Sequence, residues 1–171
     1  MRDLSRALPL LTADQLAELQ SWVMDLSAHP EDEDEVPHLT NVGELLYSWS
    51  KHVQRFEDEL DKTLDDETVW IEYDWQAAQY LRDTLANVLE GVPDRLRQMA
   101  EPTLRTVDEQ FERISRVDEA GLQKWMYDAD DRIGHGWWWQ RLPLRGPVVD
   151  ALLERPEPGS RPGPTEGPSR G

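Results

Sequence analysis

Apolar residues recur along this chain at helical spacing, in stretches separated by turn-forming residues and runs of acid. The first stretch follows Thr12, which with Gln15 has the spacing of a capping box, while Leu11 and Leu16 form the matching hydrophobic staple. Leu16, Leu19, Val23 and Leu26 continue in steps of three and four with Trp22 beside them, so a helix is expected until His29-Pro30 ends the run. Asn41 with Glu44 is a second start signal. Behind it Val42, Leu46, Trp49, Val53, Phe56 and Leu60 form the clearest amphipathic stripe, supported by Leu45 and Leu64, and predict a helix over 42–64.

Residues 68–75, TVWIEYDW, carry two patterns at once. Val69, Ile71, Tyr73 and Trp75 alternate with Trp70, Glu72 and Asp74, which is a strand signal. Ile71, Trp75, Ala78, Leu81, Leu85, Val88 and Val92 also make one helical stripe, and a lone strand would have nothing to pair with. Helix is therefore expected over 68–90, with Gly91 as its C-cap and Pro93 opening the next helix. Leu96, Met99, Thr103, Val107, Phe111, Ile114 and Val117 define that next helix, which Pro102 must kink or divide into 94–100 and 102–116. A shorter helix near 118–132 carries Leu122, Trp125, Met126 and Ala129 before Gly134 and Gly136, and a last apolar turn runs from Val148 to Leu153.

These elements predict an all-α fold, an up-and-down helical bundle of four to five helices occupying residues 1–154. From Arg155 onward the chain is Pro, Gly, Ser and single charges without one apolar residue. Such a composition cannot bury a core, so 155–171 is expected to be a disordered tail.

Charge sharpens the picture. The net charge of the 171 residues is −17, and from Asp25 to Asp74 sixteen acids stand against three bases. Glu31, Asp32, Glu33, Asp34 and Glu35 are consecutive and are expected in a solvated loop. Glu57, Asp58, Glu59 and Asp61 are expected on the outer face of the 42–64 helix, with Asp65, Asp66 and Glu67 at its end, where acids oppose the helix dipole. Crowded carboxylates there should repel one another and titrate above their ordinary range. A field of this sign repels nucleic acid and anionic lipid and attracts basic partners. No run approaches the ~20 apolar residues that span a bilayer, the N-terminal residues lack the pattern of an export signal, and there is no cysteine. The cytoplasm is the expected compartment.

Candidate chemistry is sparse. Glu35 lies three residues before His38, but Pro37 forbids a helix between them, and Gly134 separates Asp131 from His135. His52 has no positional claim to act as a base. The acid groups Glu57, Asp61 and Asp65, or Asp128, Asp130 and Asp131, have the charge for a divalent ion but fall on outer faces. Neither a phosphate-binding Gly-x-x-x-x-Gly-Lys loop nor a Gly-x-Ser-x-Gly turn occurs. No cofactor or catalytic residue is expected.

Tryptophan is the other departure from average composition, with eight in the chain. Trp22, Trp49, Trp75 and Trp125 fall on core stripes. Trp137, Trp138 and Trp139 are consecutive, and three such residues fan out over about 200° of a helix, so they cannot share one buried face. They either close the end of the core or, flanked by Arg132, Arg141 and Arg145, present a partner surface. The function expected is that of an acidic helical module binding a basic macromolecular partner through 31–35 and 57–67, with Trp70 or Trp137–Trp139 as anchor. An inhibitor, an immunity or antitoxin-like protein and a nucleic-acid mimic are its concrete forms. A small metal-dependent hydrolase and a self-associating scaffold are the alternatives.

Overall fold

The structure is a computed structural model that describes residues 8, 10–26, 39–123 and 136–154, together with the backbone of 124 and 125. The acidic run 31–35, the Asp128–Asp131 acids, both His38 and His135, and the tail from Arg155 lie outside the described residues. Among the described residues the fold is an all-α bundle of five helices with two small antiparallel strand pairs.

Helix α1 spans Ala13–Ser21 and starts as the sequence signals. The Gln15 amide N–H donates to the Thr12 hydroxyl at 3.2 Å, and the Thr12 N–H donates to Gln15 Oε1 at 2.9 Å. Its end comes eight residues before the expected stop at His29. Val23–Asp25 leaves the helix as strand β1 and pairs with β2, Leu39–Asn41, so that Val23 faces Asn41 and Asp25 faces Leu39. Trp22, Val23 and Leu26 are consequently exposed instead of lining a helix.

Asn41 caps α2, Val42–Glu59, by accepting the Glu44 N–H at 2.9 Å. The α2 stripe is buried as the spacing requires, and α2 packs against α1, α3 and α4. The helix stops at Glu59, not at residue 64. Helix α3 runs Glu72–Gly91, starting four residues later than expected because Ile71 is extended and Asp74 Oδ2 accepts its N–H at 2.9 Å. Helix α4, Asp94–Ile114, is one continuous helix with Pro102 inside it. Pro102 and Gln98 are both exposed, so the Gln98 carbonyl deprived of its helical donor is open to water.

Beyond α4 the expected order changes most. Ser115–Val117 is strand β3, which leaves Val117 exposed, and the region of the 118–132 helix that is described begins with a turn and a short 3-10 helix at Leu122–Trp125. Trp137–Gln140 is a second 3-10 turn, leading into β4, Arg141–Pro143, which pairs with β3 in antiparallel register. Helix α5, Pro147–Glu154, then packs on α3 and β4.

The core is built around aromatic rings. Trp75 stacks on Phe111 with centroids 4.9 Å apart, Trp49 meets Phe111 at 5.0 Å, and Phe56 meets Trp75 edge-on at 4.8 Å. Each indole N–H in this layer has an acceptor: Trp49 Nε1 donates to Asp108 and Trp75 Nε1 to the Arg141 carbonyl. Asp108 also holds Arg82 in a two-point ion pair, with Nε at 3.0 Å and one terminal nitrogen at 2.8 Å. That pairing allows a guanidinium to be buried between α3 and α4. Its flat face covers the Trp138 ring at 4.2 Å.

Candidate interaction surface

The acids of 57–67 divide into those used by the fold and those left to solvent. Glu59, expected on the outer face of α2, is buried, with 2% of its surface exposed. The loop after α2 folds back over it: its carboxylate accepts the Trp70 N–H at 2.8 Å and pairs with Arg55 at 2.6 Å, while Trp70 packs edge-on against Phe56. Glu57 accepts from the Gln110 side chain at 2.6 Å, Asp58 from Gln54 at 2.9 Å, and Asp61 pairs with Arg145 at 2.7 Å.

Asp66 closes the loop. It accepts both the Thr68 hydroxyl, at 2.6 Å, and the Thr68 N–H, at 3.0 Å. These two bonds, the hydroxyl first, hold its carboxyl below the ordinary range, with Lys62 at 3.6 Å adding attraction. The repulsive upward shift expected of the crowded acids is reversed at this residue, because local donors outweigh its neighbours.

Asp65 and Glu67 are exposed and have neither a hydrogen bond nor an ion pair among the described residues. Asp65 does not stand alone. The fold brings α5 across the end of the 60–65 loop, where Asp65, Asp150 and Glu154 line one open groove with Thr63, Leu64 and Leu153. Asp150 and Glu154 are likewise without an ion pair among the described residues, and Leu153 stands 63% exposed between them. The groove, about 300 Å³, therefore sets unpaired carboxylates around aliphatic side chains. That lining matches an arginine or lysine, whose stem is apolar and whose head is cationic. Sequence spacing could not find Asp150 or Glu154, which lie 85 or more residues from Asp65 and meet it only through tertiary packing.

The expected aromatic anchors are placed differently. Trp138 and Trp139 are buried, each donating its indole N–H to one oxygen of Asp83, at 2.9 and 2.8 Å. They close the core, and this packing withdraws them from a partner surface. Trp137 keeps 38% of its surface and lies near Phe111 and Arg141. Trp70 is half-buried between Phe56 and His52, under the Arg55 guanidinium.

Among the described residues no three histidines or acids converge to hold a metal ion, and no helix is long and apolar enough to cross a membrane. By architecture the chain is an all-α bundle locked at one end by a tryptophan turn. Comparison with known proteins finds no match, whether to a family, to a curated protein or to a solved structure.

Proposed function

We propose that this chain is an acidic protein-interaction module whose partner presents a basic macromolecular surface, in the manner of an inhibitor, an immunity or antitoxin-like protein, or a nucleic-acid mimic. The observation that carries the reading is the groove between the 60–65 loop and α5, where Asp65, Asp150 and Glu154 stand around Leu153 with no ion pair among the described residues. Carboxylates that serve the fold are already neutralised, as Glu59 and Asp61 are. Those of the groove are left to attract a cation, and the chain's net charge of −17 steers a basic surface toward them.

Titration with an arginine-rich peptide tests this. The wild type should bind it, with an affinity that falls steeply as salt rises, and the triple variant Asp65→Asn, Asp150→Asn, Glu154→Gln should bind at least tenfold more weakly at equal salt. Unchanged affinity in the triple variant would remove the groove from the site, and no binding by the wild type at low salt would remove the function.

A further inference from the structure

Helix α5 ends at the wall of the groove, and the chain leaves from there. Asp150, Leu153 and Glu154 are exposed on one side of the helix, at the three- and four-residue spacing that puts side chains together, while Val148, Val149 and Leu152 are buried on the other. Thr63, Leu64 and Asp65 form the facing wall. Leu153 thus lies open, 63% exposed, in a cavity of about 300 Å³. The last turn of α5 also has no basic residue, and Glu154 occupies the helix end where the dipole prefers a cation. One cation with an apolar stem would answer the carboxylates, the helix end and the open leucine together.

The chain itself supplies such a cation. Residues 155–171 carry Arg155, Arg161 and Arg170 against Glu157 and Glu166, a stretch of net positive charge in a chain of −17. Arg161 lies seven positions beyond Glu154, a reach of up to about 23 Å at about 3.3 Å per residue. The wall from Asp150 to Glu154 is about one helical turn, roughly 6 Å. Between them Glu157-Pro158-Gly159-Ser160 has proline and glycine in the two central positions that a type II turn requires, and such a turn sends the following residues back toward α5. Tethering decides the occupant. A short linker holds its end at an effective concentration of about a millimolar, which a second copy or a free basic segment at micromolar concentration does not match. We infer that Arg161 of the same chain occupies the groove, its stem on Leu153 and its guanidinium among Asp65, Asp150 and Glu154, so that a basic partner must displace it. This rests on the reading of the groove as the partner site and gives that site a built-in competitor. One docked side chain asks no core of a segment whose composition cannot form one.

The test uses the full chain. An occupant whose own affinity is near its effective concentration, about a millimolar, fills about half of the copies, so removing it should tighten a competing ligand about twofold. Arg161→Gln should therefore bind the arginine-rich peptide about twofold more tightly than Arg170→Gln, which changes the net charge equally. The difference should vanish when Asp65→Asn, Asp150→Asn and Glu154→Gln are added to both. The contact also has a readout that needs no peptide. In Arg161→Lys a carbodiimide should join the new amine to the Asp65 carboxylate as an amide, a link between positions 96 apart that mass spectrometry reads. Arg170→Lys should give no such link. Equal affinities for the two glutamine variants, or no link from 161 to Asp65, would overturn the contact and leave the groove as a partner site. A link found only in covalent dimers would place Arg161 on a neighbouring copy and overturn it as well. If the wild type and both glutamine variants fail to bind the peptide at low salt, the acidic reading falls, and the inference with it, since Arg161 would then have no partner to hold off.

Discussion

Glu59 and Asp66 belong to the same acidic stretch, yet the fold uses them in opposite ways. Glu59 is buried with Arg55, and Asp66 is an exposed-side clasp on Thr68. Composition predicts that both face solvent; only the return path of the 60–70 loop separates them, and no periodicity encodes that path. The depressed Asp66 pKa has a definite consequence for acid stability. A carboxyl lowered in the folded state contributes stability above its ordinary pKa, and that contribution is lost as pH falls through the lowered value. Asp66→Asn should therefore melt below wild type at neutral pH, and the gap should close below about pH 4. Melts across pH will check this; a gap that widens on acidification would mean that Asp66 is repelled. In the core, Asp108→Ala strands the buried Arg82 guanidinium and the Trp49 indole at once. It should cost about 3–5 kcal/mol in denaturant unfolding. Glu67→Gln, at an exposed and unpaired acid, should change stability by no more than about 0.5 kcal/mol.

At the scale of elements, the capped starts of α1 and α2 and the end of α3 at Gly91 were legible, whereas the ends of α1 and α2 and the start of α3 were not. Thr12 with Gln15, and Asn41 before Glu44, cap α1 and α2 as their spacing predicts, because a cap is a contact between residues three apart. The ends depend on distant pairing. Strand β1 exists because Leu39–Asn41 lies alongside it, and three residues are too few for alternation to register. Val117 left the α4 stripe for the same reason, drawn into β3 by Arg141 of β4. One glycine fixes how α5 approaches α2. Gly146 has φ of +94°, and a Cβ there would lie 2.9 Å from the Leu60 carbonyl oxygen. Gly146→Ala should therefore cost about 1–3 kcal/mol, and it should loosen the groove at Asp65 and Glu154, weakening the arginine-rich peptide without altering any carboxylate. A variant as stable as wild type would show that the loop can give way.

For the whole molecule, the bundle class was legible from the widths of the apolar stripes, whereas the groove and the strand pairs were not, since each joins segments whose proximity only packing creates. A net charge of −17 on one small domain also has a bulk signature. Self-repulsion destabilises the compact state, and salt screens it within about 8 Å at 0.15 M. The melting temperature should rise by a few degrees from about 0.01 M to about 0.15 M salt, the equivalent of roughly 1 kcal/mol in a chain of this length. A fall over that range would assign the net stability to exposed ion pairs such as Arg145–Asp61 instead.

The tryptophan turn also sets a schedule. Trp75 finds its acceptor on Arg141, 66 positions later, Gln79 finds one on Trp138 after 59, and Asp83 waits 55 positions for its first indole. At ribosomal speeds of about 5–20 residues per second, α3 is synthesised roughly 3 to 13 seconds before the turn that seals it. For that interval the Trp75 indole N–H lacks its acceptor, although its ring partners Phe56 and Phe111 precede the turn. Trp75 and Gln79 therefore reach their acceptors on 138–141 only after that segment has been made.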